Sequence, residues 1–187
     1  MVVAIEGLIG VGKSTVLKEL ERRGHTVELE KVEHWSLLPR MYKERSPEIC
    51  TLFELQIICS LAARSETSFC ERSIASALGI FAPKLIEDKG KLALIEQVAA
   101  MAKQPEPSFY IFLDAEPELC KRRIEQRARG GETIDLEYLR ELREAHHAFL
   151  SDKRHVRIRV EEKDSPQKLA DLIVATVAGE TRYSFFE

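Results

Sequence analysis

The sequence predicts an α/β fold, in which a five-stranded parallel sheet is covered by helices on both faces. Two observations lead to this prediction. Apolar runs of strand length alternate with longer amphipathic segments along the chain, and strands that alternate with helices form parallel sheets. No repeat, low-complexity stretch or Gly/Ser linker divides the 187 residues, so we expect one domain over residues 1–187.

The predicted strands are short apolar runs, and the fourth of them is apolar throughout its centre, as in a strand buried on both faces. The strands cover residues 2–6, 25–30, 67–72, 108–114 and 155–160. The predicted helices are the longer segments. Gly24 ends the first helix, an irregular stretch around Pro39 precedes the second, and Pro117 lies near the start of the fifth. The helices cover residues 13–24, about 46–64, about 73–86, about 91–103, 116–129, about 135–151 and 165–179.

The composition is that of a globular protein, with 44% apolar and 32% charged residues. The net charge of −3 argues against a surface for a nucleic-acid polymer, which would carry an excess of basic residues. No apolar run approaches the ~20 residues that cross a bilayer, so we expect no membrane partner. The chain opens without a secretory signal, and its four cysteines form no CxxC pair. We therefore expect a cytoplasmic protein.

The stretch "EGLIGVGKST" at residues 6–15 is a phosphate-binding motif. It matches G-x-x-x-x-G-K-[ST] at every fixed position and lies between a predicted strand and a predicted helix. Its glycines let backbone N–H groups approach phosphate oxygens, and the helix N-terminus adds a favourable dipole. We expect Lys13 to neutralise the β- and γ-phosphates and the Ser14 hydroxyl to bind Mg²⁺. The predicted phosphate-binding residues of this loop are Gly7, Gly10, Val11, Gly12, Lys13, Ser14 and Thr15.

The motif indicates a nucleoside triphosphate but not a reaction. A regulatory GTPase is excluded because the chain has no asparagine for N-K-x-D and no D-x-x-G triplet. A nucleotide-dependent binding module stays open as an alternative, with Asp114 at the end of a predicted strand as its metal-polarising acid.

Three charged clusters follow predicted strands, where the binding sites of parallel sheets gather. Glu30 ends the second strand, and Glu71 and Arg72 end the third. An arginine-rich segment follows the fourth strand and is predicted to form a lid over about 122–132. Phosphoryl transfer to a hydroxyl needs a carboxylate that takes the proton and cations that spread the developing charge. We therefore predict Glu30 as the general base and Arg72 as the group that holds base and phosphate in register.

Five motifs, in order along the chain, resemble those of the deoxynucleoside kinase family. They are "IEGLIGVGKST", "EKVEHW", "LLPRMYKE", "ERSIASALGIF" and "RRIEQRARGGE". The corresponding family patterns are I-E-G-N-I-G-x-G-K-S-T, E-P-V-x-x-W, L-x-x-M-Y-K-D, E-R-S-I-x-S-A-x-x-x-F and R-I-x-x-R-x-R-x-x-E. The resemblance covers nearly the whole chain and implies a P-loop kinase fold and ATP-dependent phosphorylation of the 5′-hydroxyl of deoxynucleosides, for nucleotide salvage. Lys31 replaces the usual proline and Leu8 the usual asparagine, and neither change removes a catalytic group.

The resemblance implies a role for each matching residue. Glu30 would take the proton of the 5′-hydroxyl, and Arg72 would contact that hydroxyl and the transferred phosphate. Glu71 would hold Mg²⁺ together with Ser14. The lid residues that would bind phosphate are Arg123, Arg127 and Arg129. The residues that would bind the nucleoside are Tyr42 and Glu132 at the 3′-hydroxyl, and Trp35, Leu38, Met41 and Phe81 around the base, with Phe81 stacked on it.

Two registers are open for the residue that reads the base, Phe53-Glu54 or Leu55-Gln56. A carboxamide offers a donor and an acceptor to a pyrimidine, whereas an ionised Glu54 would repel O4 of thymine, so chemistry favours Gln56. Ala77 stands where members that prefer deoxycytidine and purines carry Asp, which resembles the thymidine-accepting group. We therefore expect thymidine and deoxycytidine to be the best substrates.

The chief alternative is thymidylate kinase, a relative with the same fold whose acceptor is a monophosphate. It would show an acidic-Arg-Tyr triplet where this chain has Glu71-Arg72-Ser73, and it lacks E-x-V-x-x-W. The resemblance also implies a homodimer, for which the helices near 73–86 and 135–151 would present an apolar face outward.

Overall fold

The computed structural model describes residues 1–64, 67–102, 104, 106–127 and 134–183. These residues form a five-stranded sheet with the order β2-β3-β1-β4-β5, in which neighbouring strands run parallel. The strands are β1 (Val3–Gly7), β2 (Val27–Glu28), β3 (Phe69–Glu71), β4 (Phe109–Asp114) and β5 (His155–Arg159). The predicted fold class is confirmed.

The helices connect these strands and cover the sheet. They are α1 (Lys13–Arg22), α2 (Leu38–Glu44), α3 (Pro47–Ala62), α4 (Ile74–Ser76), α5 (Ala82–Leu85), α6 (Lys89–Met101), α7 (Pro117–Arg127), α8 (Leu136–Leu150) and α9 (Pro166–Tyr183). A 3₁₀ turn spans Val32–His34, and a π-helical turn at Ala77–Phe81 joins α4 to α5. No helix in this described part of the chain combines the length and the apolar character needed to cross a membrane.

Both faces of the central strands β1 and β4 are buried. Alternate residues of a strand point to opposite sides of the sheet, so each of these strands contributes to a core on either face. Val3 and Ile5 of β1 belong to the largest apolar core, which also contains residues of α1 and α9. Ala4, between them, packs in a smaller core with Tyr110 of β4 and Leu150 of α8. This double burial explains why the central strands are continuous apolar runs in the sequence.

A third apolar core lies among α2, α3 and α6 and contains Trp35, Met41 and Phe53. Helix α2 lies where the sequence predicts an irregular stretch around Pro39, so that prediction is wrong. Pro39 lies in the first turn of this helix. The missing N–H of proline costs no hydrogen bond there, because the first N–H groups of a helix have no intrahelical partner.

The helix predicted near 73–86 is confirmed in position but contains the π-helical turn. Gly79 of this turn lies so close to α8 that an added Cβ would be 2.6 Å from Phe149 Cδ2. The expectation that this helix and α8 present apolar faces outward stays a prediction, since Ile74 and Leu78 are half-buried and line a groove. The large apolar side chains that are exposed in the described part of the chain lie elsewhere, at Met1, Leu52, Leu94, Met101 and Leu172.

Candidate active site

The phosphate loop connects β1 to α1 and is shaped by its glycines. Gly7 and Gly10 have φ values of +146° and +86°. An added Cβ would lie 2.5 Å from the Leu113 carbonyl oxygen at Gly7 and 2.7 Å from the Cys120 carbonyl oxygen at Gly10. Only glycine therefore fits these two positions without a shift of the backbone. The Lys13 amine donates to the Gly7 and Leu8 carbonyls, at 2.9 and 3.1 Å.

A cavity of about 420 Å³ opens in front of this loop. It collects most of the polar residues that the sequence predicts for phosphate binding and catalysis, although Gly7 does not line it. The residues predicted for phosphate binding, magnesium binding or catalysis that line it are Gly10, Val11, Gly12, Lys13, Ser14, Thr15, Glu30, Glu71, Arg72, Arg123 and Arg127. We call this space the phosphate cavity.

Ser14 and Glu71 lie together at the floor of the phosphate cavity. The Ser14 hydroxyl donates to both carboxylate oxygens of Glu71, at 2.8 and 3.0 Å. The backbone N–H of Glu30 donates to the same carboxylate at 3.3 Å. Hydroxyl and carboxylate oxygens are hard ligands, and Mg²⁺ is commonly held by one or two of them together with water and substrate phosphates. These two side chains therefore fit a magnesium ion.

Glu30 and Arg72 form a buried ion pair. Arg72 Nε lies 2.8 Å from Glu30 Oε1, and each side chain is 7% exposed. The N–H is not aimed at the oxygen, so the contact is electrostatic and not a well-directed hydrogen bond. Burial raises the pKa of Glu30, although the positive charge of Arg72 opposes that rise. The Arg72 guanidinium also lies over the Phe81 ring, with Cζ 3.6 Å from the ring centre.

The backbone of Arg72 is strained, with a φ of +60°. Arg64, which follows α3, supports it by donating to the carbonyls of Glu71 and Arg72, at 2.7 Å each. The sequence gives no signal for this role of Arg64, because the contact depends on how the end of α3 meets the end of β3.

A second cavity, of about 270 Å³, adjoins the first and is mainly apolar. Ile9, Trp35, Leu38, Tyr42 and Arg72 line both. Met41 and Phe81 line the second cavity alone, so the side chains predicted to surround the base lie together here. We call this space the acceptor cavity. Sequence reasoning missed Ile134 and Tyr138, which also line it and reach it from the segment after the lid.

Gln56 does not line the acceptor cavity, contrary to the expectation that it lies beside the base. The Gln56 amide accepts from the Leu37 N–H at 3.1 Å and donates to the Ser36 hydroxyl at 3.0 Å. Glu54 lines the cavity instead. Residues two apart on a helix point about 200° apart, so Glu54 and Gln56 face in different directions. Glu54 lies on the buried face of α3, together with Phe53 and Ile57, and this face lines the cavity.

Of three further predicted positions, one lies away from both cavities and two fall outside the residues that the structure describes. Ala77 is fully buried in the apolar core that holds Trp35 and Met41, and it lines neither cavity. Arg129 and Glu132 lie outside the described residues. Within the described part of the lid segment, the Arg123 guanidinium donates to the Val11 carbonyl at 2.8 Å and thus reaches the phosphate loop.

Asp114 does not serve as a metal-polarising acid, because arginines occupy its carboxylate. Arg143 donates to both of its oxygens, at 2.7 and 3.1 Å, and Arg157 Nε donates at 2.7 Å. Asp114 therefore ties β4 to α8 and β5. This contact removes the feature on which the binding-module alternative depends.

Asp164, Pro166 and Leu169 also line the phosphate cavity. They come from the loop after β5 and the first turns of α9, and sequence reasoning missed them. The sequence signal, a serine followed by proline at residues 165–166, marks only the start of a helix.

Comparison with known proteins gives a consistent result. A sequence model of the deoxynucleoside kinase family matches residues 3–177. The Bacillus subtilis deoxyadenosine/deoxycytidine kinase is 32% identical over 150 residues, which cover 70% of this chain and 67% of that protein. The thymidine kinase of Ictalurid herpesvirus 1 is 29% identical over 199 residues, covering 93% and 84% of the two chains. A solved structure of M. mycoides deoxyadenosine kinase with bound dCTP has a TM-score of 0.79 at 19% identity, over 96% of this chain and 100% of the other.

Proposed function

This chain belongs to the deoxynucleoside kinase family, and we propose that it transfers the γ-phosphoryl group of ATP to the 5′-hydroxyl of thymidine and deoxycytidine, in nucleotide salvage. One observation carries the proposal: the phosphate cavity and the acceptor cavity adjoin, and Arg72 lines both. A phosphate donor in the first and a nucleoside in the second would bring their reacting groups together beside Glu30 and Arg72.

The phosphate loop and the lid would bind ATP. Lys13 and the loop N–H groups would hold the β- and γ-phosphates, and Arg123 and Arg127 would add positive charge from the opposite wall. Ser14 and Glu71 would hold Mg²⁺, which when bound neutralises charge on the phosphates. Arg129 remains a proposed phosphate ligand.

Glu30 would act as the general base. Burial, which raises the pKa of its carboxyl group, makes its carboxylate a stronger proton acceptor, and Arg72 favours the ionised form that the reaction needs. The 5′-hydroxyl would give its proton to Glu30 as the oxygen attacks the γ-phosphorus, and ADP would leave with the electron pair of the broken bond. Arg72 would stabilise the negative charge that develops on the transferred group.

The acceptor cavity would hold the sugar and the base. Tyr42 lines both cavities, which suits a contact with the sugar, and we propose it as a 3′-hydroxyl partner together with Glu132. Trp35, Leu38, Met41 and Phe81 would enclose the base. Phe81 already carries the Arg72 guanidinium over its ring, so this contact couples the position of the base to that of the catalytic arginine.

The relatives' names include deoxyadenosine, deoxycytidine and thymidine, so the proposed base preference rests on this chain's own residues. Ala77 has no carboxylate that could pair with the base. It packs in the apolar core that also holds Met41, a wall of the acceptor cavity. This apolar environment suits the 5-methyl group of thymine. We also propose a homodimer, with the exposed Leu52 of α3 and Leu94 of α6 as part of its interface.

The test is ADP formation by the purified chain with Mg-ATP and, separately, each of four deoxynucleosides and thymidine monophosphate. We expect the highest kcat/KM with thymidine and deoxycytidine. Faster turnover of thymidine monophosphate than of thymidine would favour a thymidylate kinase. We do not expect this result, because the carboxylate of Glu30 would repel the phosphate of a monophosphate acceptor. ATP turnover that nucleosides do not stimulate would indicate a binding module. A purine deoxynucleoside that ranks first would contradict the base preference.

A further inference from the structure

We propose that the protonation state of the Glu54 carboxyl group, which lies in the acceptor cavity at one of the two positions expected to read the base, selects which bases are accepted. The proposal rests on the proposed function, since it assumes a nucleoside in the acceptor cavity. It replaces Gln56, whose amide is bound to the Ser36–Leu37 turn.

The geometry that supports the proposal is an unpartnered polar group in an apolar cavity. Glu54 lines the acceptor cavity and is 1% exposed. Neither of its carboxyl oxygens has a hydrogen-bond partner among the described residues. Buried polar atoms without a partner are rare and costly in folded proteins. A bound base would give both oxygens a partner, which accounts for their position.

The surroundings of Glu54 favour a proton on it near neutral pH. Burial raises the pKa of Glu54 to about 7, while Arg72 opposes the rise and Glu30 adds to it. The other titratable or charged side chains that line the cavity with Glu54 are Tyr42, Arg45, Cys50, Lys84 and Tyr138. A carboxyl group in this setting is neutral in part of the molecules and ionised in the rest at pH 7.

The two forms of the carboxyl group match different bases. A neutral acid has one donor and one acceptor. That pair fits N3 and the N4 amino group of cytosine, O4 and N3–H of thymine, or N1 and the N6 amino group of adenine. An ionised carboxylate has only acceptors, which fit the adjacent N1–H and N2 amino group of guanine. Glu54 therefore favours deoxycytidine, thymidine and deoxyadenosine at low pH and deoxyguanosine at high pH.

The test compares kcat/KM for deoxycytidine and deoxyguanosine in wild type, Glu54→Gln and Glu54→Ala at pH 6 and pH 8. Taking the ratio of two substrates at each pH cancels the titration of Glu30, which both share. In wild type we expect the deoxycytidine-to-deoxyguanosine ratio to fall about a hundredfold between pH 6 and pH 8. Around a pKa of about 7, the neutral form that matches cytosine falls about tenfold, while the ionised form that matches guanine rises about tenfold. Glu54→Gln keeps a donor and an acceptor but cannot ionise, so its ratio should not change with pH. Glu144→Gln, at an exposed position of α8, is the matched control and should follow wild type.

Glu54→Ala separates base reading from a structural role. We expect it to raise KM for deoxycytidine at pH 6 about tenfold or more while kcat changes less than threefold, because it removes a binding contact and not the reacting groups. A pH-independent ratio in wild type, or unchanged KM values in Glu54→Ala, would overturn the assignment of Glu54 alone. Absence of phosphorylation of any deoxynucleoside would contradict the proposed function as well. If Glu54→Ala does not fold, the comparison of wild type with Glu54→Gln decides.

Discussion

Arg72 Nε lies 2.8 Å from Glu30 Oε1, and Arg72 is among the residues that line both the phosphate cavity and the acceptor cavity. This pair joins a carboxylate able to take a proton to a cation able to spread phosphate charge. Its position depends on the strained backbone of Arg72, which lies at a φ of +60°. The contacts that hold this backbone are therefore as important to the site as the side chains themselves.

Arg64 supplies two of those contacts. We therefore expect Arg64→Ala to lower activity, although Arg64 itself would not contact the substrate. The two hydrogen bonds to the Glu71 and Arg72 carbonyls would be lost, at a cost of roughly 1–3 kcal/mol in the free energy of unfolding. We also expect kcat to fall, since Arg72 would no longer be held in place. Urea unfolding and steady-state kinetics measure the two effects. Arg159→Ala, at an exposed position on β5, is the control, and equal behaviour of the two variants would contradict the role of Arg64.

Gln56→Ala should leave the ranking of the four deoxynucleosides unchanged. The Gln56 amide binds the Ser36–Leu37 turn and not the acceptor cavity, so its loss should change KM for all acceptors by a similar factor. The measurement is kcat/KM for each deoxynucleoside in the variant and in wild type. A selective loss of thymidine or deoxycytidine would return the base-reading role to Gln56.

Part of the candidate site could be predicted from the sequence, and part could not. The phosphate loop, Glu30 and Arg72 were predictable because each follows a strand, and the carboxyl ends of parallel strands meet at one edge of the sheet. Glu54 and Gln56 were not separable, since the rotation of α3 about its own axis decides which of them faces the cavity. Arg64 and Asp164 were not predictable either, because their roles come from contacts between segments distant in the chain.

The pH dependence of stability should reveal the buried carboxyl group of Glu54. Its pKa rises from 4.5 to about 7 on folding, so between these values the folded protein holds a proton that the unfolded chain has released. The free energy of unfolding therefore falls as the pH rises through this window. Glu54→Gln has no such proton and should become more stable than wild type above pH 7, by on the order of 1–3 kcal/mol.

The measurement for this prediction is urea unfolding of both proteins at pH 5 and pH 8. We expect the variant's advantage to grow between the two values. The other titrating groups, including Glu6, whose pKa burial also raises to about 7, are common to both proteins and cancel in the difference. An advantage that does not depend on pH would mean that Glu54 keeps an ordinary pKa.

The measurement that tests the central claim most directly is the effect of Glu30→Gln on chemistry and on binding in the same preparation. Single-turnover kinetics would give the rate of phosphoryl transfer, and isothermal titration calorimetry would give the Kd for thymidine. We predict that the rate falls by about 10²–10⁴-fold, the usual contribution of a general base, while Kd changes less than about threefold. An unchanged transfer rate, with thymidine binding intact, would show that the proton of the 5′-hydroxyl does not go to Glu30.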